Sequence, residues 1–431
     1  MPPSSTISTR DARRVILATF VGTTVEWYDF YLYAASAALI FAPQFFPGND
    51  PTAAQIGAFA TFAFGFLSRP LGGILAGHFG DRLGRKGMLI LSLILMGVAT
   101  TLIGLLPSYA QIGILAPILL TILRLVQGLG VGAEWGGAVT MAIEHAPENR
   151  KALYGAAPII GLPAGLLLSN LVLIVLGVLT GPNFTVWGWR IAFLFSFVLV
   201  LIGIWARYGL SESPVFKEAV QDHPKALPFV TVLRHHGVPL LCTIFISGVP
   251  AILAYLVLTW ALSYGTTSLG YDRNSLLWIG ILCCVIQMVM IPVLAVIVDR
   301  GNPRIMGMAG AVLMAAAALA FFPLFNTGNI ALAGLATVLA HASTSFVWAV
   351  VPPILARAFP GPVRYTGISM AYQFGAIIGG GFAPIIATAL LAATGQTWPI
   401  ALYVVIASAV MLLSIIGLGV YYRFRGEPAW D

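Results

Sequence analysis

The sequence predicts an all-α membrane protein with twelve transmembrane helices in two six-helix bundles. Composition, the placement of charge and one central polar stretch carry that reading. Of 431 residues, 59% are hydrophobic and only 9% are charged, against about 25% charged in a soluble domain. A bilayer-crossing helix uses about 20 apolar residues, so twelve need roughly 240, close to what 59% of 431 residues supplies. The 46 glycines and 27 prolines suit close-packed or broken membrane helices.

The hydrophobic runs fall at 15–41, 55–78, 87–106, 114–142, 152–178 and 189–208, then at 238–266, 274–299, 305–325, 329–355, 367–393 and 399–422. Between the two sets lies the one long internal polar stretch, giving a first bundle over 1–208, a central loop over 209–237 and a second bundle over 238–431. A 6+6 plan places a substrate site between two similar bundles near mid-membrane. With the N-terminus inside, Arg10, Arg13, Arg14, Arg82, Arg85, Lys86, Arg150, Lys151, Arg207, Lys217, Lys225, Arg234, Arg300, Arg304, Arg357, Arg364, Arg423 and Arg425 share one side, and only Arg190 and Arg273 the other. The positive-inside rule makes the first side cytoplasmic, with both termini there and an even number of crossings. The net charge of +7 therefore reflects topology rather than a nucleic-acid partner. The polar first residues and the long run after them do not read as a cleavable signal peptide. Cys242, Cys283 and Cys284 lie within spans without metal-ligand spacing and are expected to be bystanders. The Asn183-Phe184-Thr185 sequon is treated as chance.

Small-residue spacing marks tight packing: Gly73 and Gly77 on span two, Gly128, Gly132 and Gly136 on span four, Gly161 and Gly165 on span five, and Gly375 and Gly379 on span eleven. Such spacing lets backbones approach closely, and it fits static packing and a rocking interface equally well.

Ionisable groups in a bilayer cost roughly 2.5–3.5 kcal/mol each on insertion scales, so they pair or face a polar path. Glu26, Asp29, Arg69, Arg124 and Glu134 lie inside spans, all in the first half, whereas every Asp, Glu, Lys and Arg of the second half falls at a span end or in a loop. Glu26, Asp29 and Tyr33 share a face of span one, as Arg124 and Gln127 do on span four. Burial and a nearby arginine act on a carboxylate in opposite senses, which suits a group that takes up and releases a proton. Asp29, near the middle of its span, is the expected proton carrier, with Arg69 or Arg124 as its partner. Glu134 fits a gate, packing or proton transfer. Both arginines are also candidates to bind a substrate carboxylate through the planar guanidinium fork. The second half offers Gln287, His341, Trp348, Tyr372 and Gln373 as a neutral and aromatic wall, with His341 and Trp348 on one face of span ten. A membrane histidine either relays protons or sits hydrogen-bonded in a cavity. The second half also offers Trp260 and Tyr264 as aromatic groups, against the competing reading of interfacial anchors, which weighs more heavily on Trp187 and Trp189. Cations on one wall and aromatics on the other suit a small organic acid with a ring or carbon skeleton.

Between spans two and three the chain reads Gly77-His78-Phe79-Gly80-Asp81-Arg82-Leu83-Gly84-Arg85-Lys86, and span four carries Arg124-Leu125-Val126-Gln127-Gly128. These resemble the G-x-x-x-D-R-x-G-R-K and R-x-x-Q-G signatures of the major facilitator superfamily. Glu26-Trp27-Tyr28-Asp29-Phe30, Glu134-Trp135-Gly136-Gly137, Trp187-Gly188-Trp189-Arg190, Glu212-Ser213-Pro214-Val215-Phe216 and Phe359-Pro360-Gly361-Pro362-Val363-Arg364 add to the likeness. Together they resemble the metabolite:proton symporter family, which includes shikimate, 2-oxoglutarate, citrate and proline/betaine carriers. The resemblance spans the whole chain. One departure is the loop between spans eight and nine, Asp299-Arg300-Gly301-Asn302-Pro303-Arg304, which keeps only the first two residues of the repeated turn and leaves its symmetric role open.

The resemblance implies a major facilitator fold and a proton-coupled symporter that imports a small organic acid by alternating access in the cell inner membrane, as a monomer without cofactor or metal. It also makes Gly77, Asp81, Arg82, Gly84 and Arg85 gating candidates. Uptake of a zwitterionic osmolyte and proton-antiport efflux are the alternatives. A channel needs a continuous polar lining, which charge confined to one half disfavours. Neither a nucleophile–base pair nor a nucleotide loop points to an enzyme.

Overall fold

The computed structural model describes residues 9–48, 50–73, 85–132, 134, 138–139, 142, 150–208 and 228–425. Among the described residues, twelve main helices run through the molecule. They are α1 (Thr9–Ser36), α2 (Pro51–Leu67), α3 (Arg85–Leu105), α4 (Leu115–Val131), α5 (Lys151–Thr180), α6 (Gly188–Tyr208), α7 (Gly237–Tyr255), α8 (Arg273–Arg300), α9 (Pro303–Phe325), α10 (Ile330–Trp348), α11 (Gly361–Ala376) and α12 (Trp398–Phe424). Eight of the helical stretches are long and apolar enough to cross a membrane on their own, and shorter apolar stretches cover 90–105 and 115–131. Leu179, Leu313 and Leu413 are among many large apolar side chains on the outer surface, as a lipid-facing exterior requires.

Three helices change pitch part-way. A π-turn at Ala37–Phe41 extends α1, another at Leu256–Trp260 extends α7, and a third at Ile377–Gly381 extends α11. Pro43 and Pro384 follow closely in α1 and α11, and a proline supplies no N–H to a preceding carbonyl. The wider turn accommodates that loss; in α11 the Phe382 N–H reaches back to the Ile377 carbonyl.

Helices α1–α6 pack mainly on one another, and so do α7–α12; the two sets meet chiefly along α5 with α8 and α2 with α11. The glycine stripes serve packing within each set. A methyl group at Gly128 or Gly132 would collide with the backbone carbonyl of Gly65 or Arg69 on the α2 segment. Gly165 meets Trp27 and Tyr28 of α1, while Gly375 and Gly379 meet Ser247 and Gly248 of α7. The seam between the sets uses other glycines: Gly380 and Gly381 on Phe66, and Gly280 on the amide of Asn170. Gly77 and Gly136 lie outside the described residues.

The α5–α8 seam is tied at both ends. At the basic end, where Lys151, Arg300 and Arg304 lie, the helix start at Arg150 has no side-chain cap of its own. Asp299 of α8 supplies one, accepting the backbone N–H of Ala152 at 2.8 Å and of Leu153 at 3.1 Å. At the opposite end, the Arg273 guanidinium packs over the notch at Gly177 and lies 4.2 Å from the centre of the Phe184 ring. Each charge thus meets the end of α5 whose dipole it complements. The loop whose motif is degraded in the sequence keeps, in Asp299, a working contact between the two sets.

The interfacial reading is corrected for two aromatics. Trp189 is fully buried among Phe41, Phe45 and Phe193. Trp260 is buried and donates to Thr388 Oγ1 at 3.1 Å. Both fill the interior because neighbouring aromatic rings and, for Trp260, a polar partner compete successfully with the membrane interface. Trp187 is exposed and Tyr264 half-buried.

Candidate functional site

Asp29 lies on α1 at 0% exposure. Its Oδ1 accepts from Ser196 Oγ of α6 at 2.5 Å and its Oδ2 from Thr100 Oγ1 of α3 at 2.9 Å. Thr100 Oγ1 in turn accepts from Gln127 Nε2 at 2.8 Å, and Gln127 Oε1 accepts from Arg124 Nη1. A relay of neutral side chains therefore joins the carboxylate to the guanidinium across three helices, with Ser196 of a fourth on the carboxylate. The single Thr100 proton is shared, because the Met96 carbonyl stands 2.9 Å from the same oxygen. Asp29 can take up a proton without leaving Arg124 stranded, since the guanidinium also rests on the rings of Tyr33 at 4.1 Å and Phe30 at 4.2 Å. Tyr33 is itself held by its hydroxyl, which donates to Thr61 Oγ1 at 2.7 Å.

Arg69 is buried differently. Its guanidinium lies 3.8 Å from the Phe30 ring centre, 4.5 Å from Phe66 and 5.5 Å from Trp27. None of its three nitrogens has a hydrogen-bond partner among the described residues. The acidic group acting on it electrostatically is Glu26, itself buried on α1. Aromatic faces attract a cation but leave its N–H donors available, so the fork is intact. Glu134 is buried just beyond α4.

Between the two sets of helices lies a small cavity. Trp27, Tyr31 and Phe66 line one wall, and Ser247, Tyr255, Gln287, His341, Trp348 and Tyr372 the other. The structure thus brings Gln287, His341, Trp348 and Tyr372 together at the wall. Arg69 stands against the Trp27 and Phe66 rings; Arg124 and Gln127 belong to the relay, and Tyr33 packs its ring against Arg124. Gln373 donates to the Gly132 carbonyl at 3.1 Å, so it ties the two sets together instead of lining the cavity. Gly77, Asp81, Arg82 and Gly84 lie outside the described residues, and Arg85 opens α3.

Sequence reasoning missed Trp27, Tyr31, Phe66, Ser247 and Tyr255 as wall residues. Trp27 Nε1, Tyr255 Oη and His341 Nδ1 are buried polar atoms without a hydrogen-bond partner among the described residues. Buried donors and acceptors are nearly always satisfied, so three such atoms on residues of one cavity mark a place built for a polar guest.

Residues 19–340 match the family described as Major Facilitator Superfamily. The chain belongs to the major facilitator superfamily. It is 41% identical over 404 residues to the shikimate transporter of Escherichia coli (strain K12), covering 92% of each protein. It is 33% identical over 413 residues to the glycine betaine/proline/ectoine/pipecolic acid transporter OusA of Dickeya dadantii (strain 3937), covering 93% of this chain and 82% of that one. Its fold superposes on a crystal structure of a D-xylose-proton symporter with a TM-score of 0.73 at 19% identity, over 93% of this chain and 97% of the other. The superfamily member described here is a membrane transporter, not an enzyme, and its cavity sits between the two bundles.

Proposed function

We propose that this transporter couples inward proton movement to uptake of a small organic acid by alternating access. The observation that carries the reading is the presence of two buried functions within the first six helices. One is a carboxylate, Asp29, relayed through Thr100 and Gln127 to Arg124. The other is a guanidinium, Arg69, whose donors have no hydrogen-bond partner among the described residues and which stands against the Trp27 ring of the cavity wall. The first suits proton uptake and release, and the second suits attraction of a carboxylate. Likeness to the shikimate transporter supports a carboxylic-acid substrate, and the fold shared with a proton symporter fits proton coupling.

The units are the bundles 1–208 and 238–431, with 209–237 between them, and the protein acts as a monomer in the cell inner membrane. The excess of Lys and Arg at the basic end supports a cytoplasmic location for that end and both termini. Glu26 and Glu134 assist proton transfer or gating, and Gly77, Asp81, Arg82, Gly84 and Arg85 contribute to the gate.

A zwitterionic osmolyte is the second reading. Trp27, Tyr31, Tyr255, Trp348 and Tyr372 around one cavity resemble an aromatic cage for a quaternary ammonium group, and the likeness to the betaine carrier supports it. Uptake of labelled carboxylates and of glycine betaine into proteoliposomes, with and without a protonophore, tests both. Accumulation of a carboxylate that collapses with the protonophore is expected; accumulation indifferent to the proton gradient refutes symport.

A further inference from the structure

On the wall formed by α8 and α10, the hydrogen bonds fix which nitrogen of a histidine carries its proton. Thr344 Oγ1 donates to the His341 carbonyl at 2.6 Å, so its single proton is committed to the backbone. The hydroxyl can then only accept from Gln287, whose Nε2 lies 3.3 Å away. That turns Gln287 Oε1 toward His341 Nε2, at 3.0 Å. A carbonyl oxygen accepts, so Nε2 bears the proton, and the neutral ring leaves a lone pair on Nδ1. Nδ1 is buried and has no partner among the described residues, while the ring lines the cavity.

The other two unpartnered atoms of this cavity have the opposite character. Trp27 Nε1 is a donor only, and Tyr255 Oη has a proton to give. The cavity therefore offers donors from α1 and α7 and an acceptor from α10. A guest that satisfies both carries acceptors and at least one N–H or O–H donor, which in an organic acid is a hydroxyl.

We propose that His341 Nδ1 accepts a hydrogen bond from a hydroxyl of the transported acid, so that the carrier selects hydroxylated carboxylates. This rests on the organic-acid reading of the cavity. Thr344 and Gln287 act through the histidine as positioning residues, holding the ring in its acceptor form. A carboxylate without hydroxyls leaves Nδ1 unsatisfied, and so does a quaternary ammonium zwitterion, which has no donor at all.

The test uses the full chain in detergent and in proteoliposomes. Its probes are a trihydroxylated cyclohexene carboxylate, cyclohexene carboxylate without the hydroxyls, and glycine betaine. The hydroxylated acid is expected to bind the native protein roughly tenfold to a hundredfold more tightly than its unhydroxylated counterpart, the usual scale for one buried unsatisfied group. In His341→Phe the ratio is expected to fall to within about threefold. Nitrogen NMR of histidine-labelled native protein, which needs no variant to fold, is expected to report a neutral Nε2–H tautomer for His341. Equal binding of the two acids by the native protein, a preference that survives His341→Phe, or an Nδ1–H tautomer overturns the inference and leaves the organic-acid reading standing. Binding of betaine with neither acid overturns the organic-acid reading, and the hydroxyl contact with it.

Discussion

Asp29 and Arg124 communicate through two neutral side chains, Thr100 and Gln127, each within hydrogen-bond reach of the next. A direct buried ion pair is strongly destabilised when either partner loses its charge. Here the carboxylate keeps Ser196 as a second donor and the guanidinium keeps the faces of Phe30 and Tyr33, so the charge on Asp29 can change with the framework intact.

Asp29→Asn is therefore expected to remove proton-driven accumulation while sparing solute exchange across the membrane. The measurement is uptake against counterflow in proteoliposomes. Accumulation that persists would move the proton to Glu26 or Glu134.

Gln127→Leu cuts the relay in the middle, leaving Arg124 Nη1 without its amide partner and Thr100 Oγ1 without its donor. Leaving a buried polar group unsatisfied costs about 1–3 kcal/mol, and a lowered melting temperature in detergent reads it. Arg124→Lys is expected to impair transport as well, since an ammonium neither forks nor stacks as a guanidinium does. Full activity in the lysine variant would show that charge alone suffices.

Loss of the cap in Asp299→Ala is expected to cost about 1 kcal/mol at the start of α5, a roughly fivefold change in a two-state balance. Since the contact joins the two bundles, the change favours the state parted at the basic end. Spin labels at Tyr154 and Arg300 would report a longer distance in the variant; an unchanged distribution counts against a latch.

Gly132→Ala and Gly380→Ala separate assembly from motion. The methyl group of the first meets a backbone carbonyl, that of Arg69, which cannot yield. That of the second meets Phe66 Cζ at 2.6 Å and Tyr255 Cε2 at 2.9 Å, side-chain atoms at the seam. The first is expected to reduce folded protein in the membrane, through overpacking of typically 1–3 kcal/mol. The second is expected to leave folded protein near normal and slow transport. Expression and melting, compared with uptake rate, decide.

Asp272 starts α8, where its carboxylate accepts from the N–H and hydroxyl of Ser275 at 2.8 Å and 2.9 Å. The backbone N–H of Ser275 holds this carboxyl below the usual range. A depressed group stabilises the fold above its unfolded pKa and loses that contribution as pH falls through its folded one. The melting-temperature deficit of Asp272→Ala is thus expected at neutral pH and should close on acidification. A deficit constant with pH would assign the effect to packing.

How much of this was legible in the sequence follows from what each residue costs. A charge in a span is expensive enough to be noticed, so Asp29, Arg69 and Arg124 stood out before any coordinates. Trp27, Tyr255 and Phe66 cost nothing in an apolar helix, and only the cavity distinguishes them from the many rings that merely pack. The glycine stripes announced close approach but not the partner; they proved to lie within bundles, while Gly280, Gly380 and Gly381 at the seam belonged to no expected pair. Trp189 and Trp260 went astray because a tryptophan near a span end fits the interface equally well until its neighbours are known. Asp299 looked like the remnant of a lost motif, since its use depends on the uncapped start of α5, 147 residues earlier in the chain.

Arg273 and Asp299 stand at opposite ends of the same helix, about 40 Å apart at 1.5 Å per residue, with Gln287 near its centre. Tilting α8 about that centre moves its two ends in opposite directions relative to α5. In the alternating-access mechanism proposed above it would work as a lever pivoting at the cavity wall: a swing that pulls Asp299 from Ala152 would press Arg273 onto Phe184, and the return swing would do the reverse. A lever can be raised at one end only, and that restriction separates a carrier from a pore.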